Sequence, residues 1–65
     1  MDERIMQLLL DKNKQRRAEL LEHLGGGSVK DYAEYREIVG VLRGLLHASQ
    51  NIEDLLERVK EREDE

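Results

Sequence analysis

The 65-residue chain contains no cysteine, proline, phenylalanine or tryptophan, and its only aromatic side chains are Tyr32 and Tyr35. Without cysteine there are no disulfides, no thiolate metal ligands and no thiol nucleophile. Without proline every residue keeps the backbone amide that a helix interior needs. No stretch reaches the roughly 18 uninterrupted apolar residues of a membrane span. The opening Met-Asp-Glu-Arg and the short apolar run Ile5 to Leu10 lack the h-region and small-residue cleavage site of a signal peptide, so a cytoplasmic location is expected. A chain below about 70 residues adds staples or partner subunits to its small core. With disulfides excluded and no metal set in view, partner subunits are the expectation.

What is present is charge and leucine. Charged residues make up 40% of the chain and apolar residues 38%, with a net charge of −4. Residues 1–24 are balanced, five acids against five bases, so the imbalance lies beyond them. The last thirteen residues alone hold seven acids against three bases. An acidic chain is a poor general nucleic-acid binder, because that affinity comes from clustered Lys and Arg releasing phosphate counterions. The organised apolar content also separates it from a disordered polyelectrolyte.

The run Gly25-Gly26-Gly27-Ser28 is the one break in a sequence otherwise rich in Leu, Glu, Arg and Lys, all good helix formers. Gly25 after Leu24 suits the left-handed residue that closes a helix. Ser28 with Asp31 three residues on reads as a capping box. The expected fold is all-α: helix 1 over about 2–24, a turn at 25–28, and helix 2 over about 29–62, folded as an antiparallel hairpin. Residues 60–65 are expected to be an acidic, fraying end.

Helix 2 carries apolar residues at 3–4 spacing: Tyr35, Ile38, Leu42, Leu45, Ser49, Ile52, Leu56 and Val59. That is a coiled-coil seam with one polar member. Val39, Val41, Leu46, Ala48 and Leu55 flank it and widen the apolar face. From Ile38 to Ile52 the one side chain with a fixed charge is Arg43. A helix so apolar is buried on more than one side, which a single partner helix cannot achieve. Helix 1 has apolar ends separated by the polar run Asp11 to Arg17, so its seam Met6, Leu9, Asn13, Arg16, Leu20 crosses a polar layer.

If Leu24 and Val29 lie level, residue i of helix 1 sits opposite about residue 53−i of helix 2. Arg16 and Arg17 then approach Glu37 and Glu34, Asp11 approaches Arg43, and Met6 faces His47. Helix 1 ends near residue 51 in this register, leaving Ile52, Leu55, Leu56 and Val59 on an overhang. Exposing such side chains forfeits about 1.5–3 kcal/mol each, so the overhang is expected to pair with another chain.

Gly40 and Gly44 form Gly-x-x-x-Gly inside a helix, where each costs about 1 kcal/mol relative to alanine. The favoured reading is a small-residue groove admitting a second helix; the alternative is glycine tolerated on a solvent face. Lys12, Lys14, Arg16 and Arg17 are candidate phosphate contacts, with a solvated, ion-paired helix face the favoured alternative. His23 lies near Glu19 and Glu22 in sequence, yet His47 is too distant to complete a metal site, and His23 is better explained by the helix dipole. Tyr32 and Tyr35 are expected to cover the hinge end of the core. No nucleophile–base pair is in view, and Gly25–Gly27 lacks the Lys-Ser/Thr of a phosphate loop. Catalysis, a cofactor, a metal and a small-molecule substrate are not expected.

The stretch Asp31-Tyr32-Ala33-Glu34-Tyr35 through Gly40 and Gly44 to Leu45 resembles a segment in small, mostly uncharacterised helical proteins of tailed bacteriophages. The resemblance covers the middle third of the chain and implies a phage origin, with host cytoplasm or virion as location; no functional residue is carried over from it. The reading that follows is a non-catalytic structural or interaction protein that self-associates or docks on a larger assembly. Its expected interface is Tyr35, Ile38, Gly40, Leu42, Gly44, Leu45, Ile52, Leu55, Leu56 and Val59. The alternatives are a small nucleic-acid-binding regulator using the basic stretch of helix 1, and an inhibitor whose acidic end contacts a basic host protein.

Overall fold

A computed structural model of the protein describes residues 2–63, the side chain of Glu63 excepted. The described residues form two helices and no strand: α1, Glu3–Gly25, and α2, Tyr32–Glu63. Asp2 caps α1, its carboxylate accepting from the Arg4 amide at 3.0 Å while its carbonyl accepts from Met6 N–H. Glu3 adds favourable charge to the first turn. The two helices pack against each other as an antiparallel pair, 52 Å long and 15 Å across in both other directions. The 32 residues of α2, at 1.5 Å each, account for nearly all of that length.

The connection is longer than the sequence reading had it. Gly25 is the last residue of α1, Gly26 keeps right-handed angles, and Gly27 is the glycine with positive φ, 75°. The left-handed closing position thus falls two residues beyond the expected Gly25. At the other end α2 begins at Tyr32, not 29, and its cap is Asp31. The Asp31 carboxylate accepts from Glu34 N–H at 2.8 Å, and the Glu34 side chain reaches back to the Lys30 amide at 3.2 Å. Asp31-x-x-Glu34 is therefore the capping pair, where Ser28-x-x-Asp31 was expected. A carboxylate caps as well as a hydroxyl, and only the later choice also supplies the long acid that can turn back.

The longer connection moves the register. Met6, Leu10 and Leu56 form the buried cluster, with Ile52 and Val59 packed against it. Met6 thus meets Leu56, not His47, a displacement of about two and a half helical turns. The overhang accordingly disappears: α1 covers Ile52, Leu56 and Val59. The polar pairings change with it. Arg16 bridges Glu19 on its own helix at 3.7 Å, Glu34 takes His23, and Asp11 accepts from Gln7 at 3.1 Å. None of the three ion pairs expected from the shorter turn forms.

In heptad terms α2 places Leu42, Ser49 and Leu56 at a, and Ile38, Leu45, Ile52 and Val59 at d. All are buried or half-buried. The α2 seam read from the sequence therefore holds, apart from Tyr35, which is 46% exposed. On α1 the seam is Met6, Leu10, Asn13, Leu20 and Leu24, not the line through Leu9 and Arg16, which are exposed. Taking Met6 level with Leu56 brings half-buried Asn13 to the level of buried Ser49, so the polar layer of α1 meets the one polar member of the α2 seam. Core burial is thin: among the described residues the buried apolar side chains are Met6, Leu10, Ile38 and Leu56.

Candidate functional site

Among the described residues an ion pair and a histidine–carboxylate hydrogen bond join the helices, on opposite flanks of the hairpin. Lys14 bridges Glu53 at 3.6 Å, both well exposed, and these occupy e positions. His23 Nε2 lies 3.1 Å from Glu34 Oε1, and these occupy g positions. Pairing e with e and g with g is what an antiparallel coiled coil requires, so each flank can be read residue by residue.

On the g flank α2 presents Val41, Ala48 and Leu55 at intervals of seven. Val41 and Leu55 are exposed, Leu55 at 48%. On α1 the g position towards the open end is Leu9, with Ile5 one turn before it in sequence; both are exposed. Towards the hinge the same flank becomes a shallow groove lined by Arg16, Leu20, His23, Glu34, Glu37 and Val41. On the e flank α2 presents Tyr32, half-buried Val39 and exposed Leu46, and α1 presents exposed Leu21. Towards the open end that flank is polar, with Gln7, Lys14, Glu53, Glu57 and Lys60 around a second shallow groove.

Tyr32 and Tyr35 do not cover the hinge end of the core. Tyr32 is 71% exposed, and the two rings stack on each other with centroids 6.1 Å apart. Tyr35 keeps the a spacing of Leu42 and Ser49 yet is 46% exposed, and Tyr32 falls at e, on the flank. Gly40 and Gly44 are exposed, and a Cβ built on either meets nothing within 4 Å inside the chain. They lie on the side of α2 that α1 leaves open.

Of the expected interface residues, the structure brings Ile38, Leu42, Leu45, Ile52, Leu56 and Val59 to the α1-facing side. Tyr35, Gly40, Gly44 and Leu55 remain on the outside. Val41, Leu46, Leu9 and Ile5 join that outer surface. Val41 and Leu46 were legible as flanking positions, whereas the exposure of Leu9 depended on which of Leu8, Leu9 and Leu10 turns inward.

The basic stretch is dispersed around α1. Lys14 and Arg16 are engaged with Glu53 and Glu19, on different flanks, while Lys12 and Arg17 are exposed. The acidic end expected to contact a host protein lies partly at Asp64 and Glu65, outside the described residues. No group of three His, Asp or Glu side chains able to hold a metal ion occurs among the described residues. None of their helices is long and apolar enough to cross a membrane.

At the hinge, electrostatics centre on Glu34. The His23 hydrogen bond, and after it the Lys30 amide, hold its carboxyl below the ordinary value of 4.5. His23 also sits in the last turn of α1, where a cation is favoured. No protein-family model, curated protein or solved structure matches the chain. The surface just described therefore carries the functional argument.

Proposed function

We propose that the protein is a non-catalytic structural or interaction module, a helical hairpin whose outer apolar flanks are covered by further helices, from copies of itself or from a larger assembly. The observation that carries this reading is the exposure of Val41, Leu46 and Leu55 on both flanks of α2, beside a thin core of Met6, Leu10, Ile38 and Leu56. Scattered exposed apolar residues are ordinary on protein surfaces. Here they recur at heptad intervals beside the seam, as in helices that contact more than one neighbour. The resemblance of residues 31–45 to small tailed-phage proteins gives the proposal its setting: a small component of a bacteriophage particle or of its assembly.

The test uses residues that the hairpin itself does not bury. Leu46→Asp and Leu55→Asp keep the helical content of the wild type by circular dichroism. Each is expected to weaken self-association in sedimentation equilibrium, or incorporation into purified particles by mass spectrometry. If both variants match the wild type in both measurements, the proposal fails.

A further inference from the structure

We infer that the flank carrying Val41, Ala48 and Leu55 binds a second copy of this chain, laid antiparallel with Ala48 against its own counterpart. This rests on the interaction reading above and names the partner.

The g positions of α2 read Glu34, Val41, Ala48, Leu55, Arg62: acid, apolar, small, apolar, base. A second copy turned end over end about Ala48 places its Leu55 on Val41 and its Val41 on Leu55. At the two ends Arg62 comes level with Glu34, whose carboxylate stays engaged with His23 and the Lys30 amide. The neighbouring row of c positions is Glu37, Gly44, Asn51, Arg58. In the same arrangement Glu37 meets Arg58 of the second copy, and the pair occurs twice by symmetry. A two-fold interface must be complementary to itself in this way. A parallel arrangement would set Glu34 on Glu34 and Arg62 on Arg62.

The e flank provides the contrast. Its order is Tyr32, Val39, Leu46, Glu53, Lys60, so the equivalent turn about Leu46 drives Val39 onto Glu53 and leaves a charge against an apolar side chain. Of the two flanks, the g flank is the self-complementary one.

The rest of that flank agrees. Leu9 and Ile5, 47% and 58% exposed, lie on the α1 side of the open end, where the hinge half of the second copy would cover them. Arg16 on this flank is held by Glu19 at 3.7 Å, which leaves Glu37 available to Arg58.

The experiment is sedimentation equilibrium of the full chain from micromolar to hundreds of micromolar, with Glu37→Arg, Arg58→Glu and their equimolar mixture. Both side chains are exposed, so helicity by circular dichroism should match the wild type. Each variant alone sets like charges together at two contacts and should dimerise about tenfold more weakly. The mixture joins opposite charges at both contacts and should recover wild-type affinity as a heterodimer. A monomeric wild type over the whole range would overturn the inference, and particle incorporation would then decide the broader proposal separately. Variants that associate like the wild type, while Leu46→Asp does not, would also overturn it and leave the broader proposal standing.

Discussion

At Glu34 one side chain joins both helices and the connection. One carboxylate oxygen faces His23 at the end of α1, the other accepts from the Lys30 amide, and its own N–H donates to Asp31. A carboxyl with a depressed folded value stabilises the fold above its unfolded value, and that contribution fades as pH falls through the folded value. Wild type and Glu34→Gln should therefore differ most near neutrality and converge as pH drops below 4.5. Urea unfolding followed by circular dichroism at pH 7 and at pH 3 checks this. A gap of equal size at both pH values would show that the hydrogen-bond geometry, and not the charge, is what matters. The four-residue turn expected from the sequence sets Glu34 opposite Arg17 and leaves His23 without it.

At the scale of the element, the glycines separate by environment. Gly27 has φ of 75°, where a Cβ costs about 1–2 kcal/mol. Gly40 sits in a helix interior with nothing near its missing Cβ, so alanine there should gain about 0.8–1 kcal/mol. Gly27→Ala should lower the thermal midpoint and Gly40→Ala raise it, each by several degrees for a chain of this size. Gly40 also lies outside the inferred interface, so self-association should be unchanged in that variant. A Gly40→Ala chain that associates more weakly would place a second helix on the glycine face.

The same elements show what was legible in the sequence. The α2 seam could be read from spacing alone, since its sequence allows one wide apolar face and Ile38, Leu45, Ile52 and Leu56 keep their periods. The α1 seam could not, because Leu8-Leu9-Leu10 offers three consecutive inward candidates and only packing against Leu56 selects Leu10. The hinge was misplaced for a similar reason. Three glycines and two capping pairs were available, and the choice between Ser28 and Asp31 shifts every contact that follows. Of the candidate surface, the flanking stripes were legible, while the covering of Leu56 and Val59 by α1 was not.

For the whole molecule, the decisive question is whether the hairpin stands by itself. Met6 at 3% and Leu56 at 5% exposure anchor the open end, and removing such a side chain costs about 2–5 kcal/mol. Leu56→Ala should therefore unfold or nearly unfold the chain at low concentration. Leu55→Ala, next in sequence yet 48% exposed, should leave the helical content at low concentration close to that of the wild type. The two variants part in a second way if copies associate. Association stabilises by mass action, by about 2.7 kcal/mol when the free partner is at a hundred times its dissociation constant. The thermal midpoint of the wild type should then climb by several degrees across a hundredfold rise in concentration, and Leu55→Ala should flatten that climb. Leu56→Ala should keep the climb while starting from a much lower midpoint, because its g flank is intact whenever the helices form. A wild-type midpoint independent of concentration would mean that a core this thin suffices for the folded chain without its own copies.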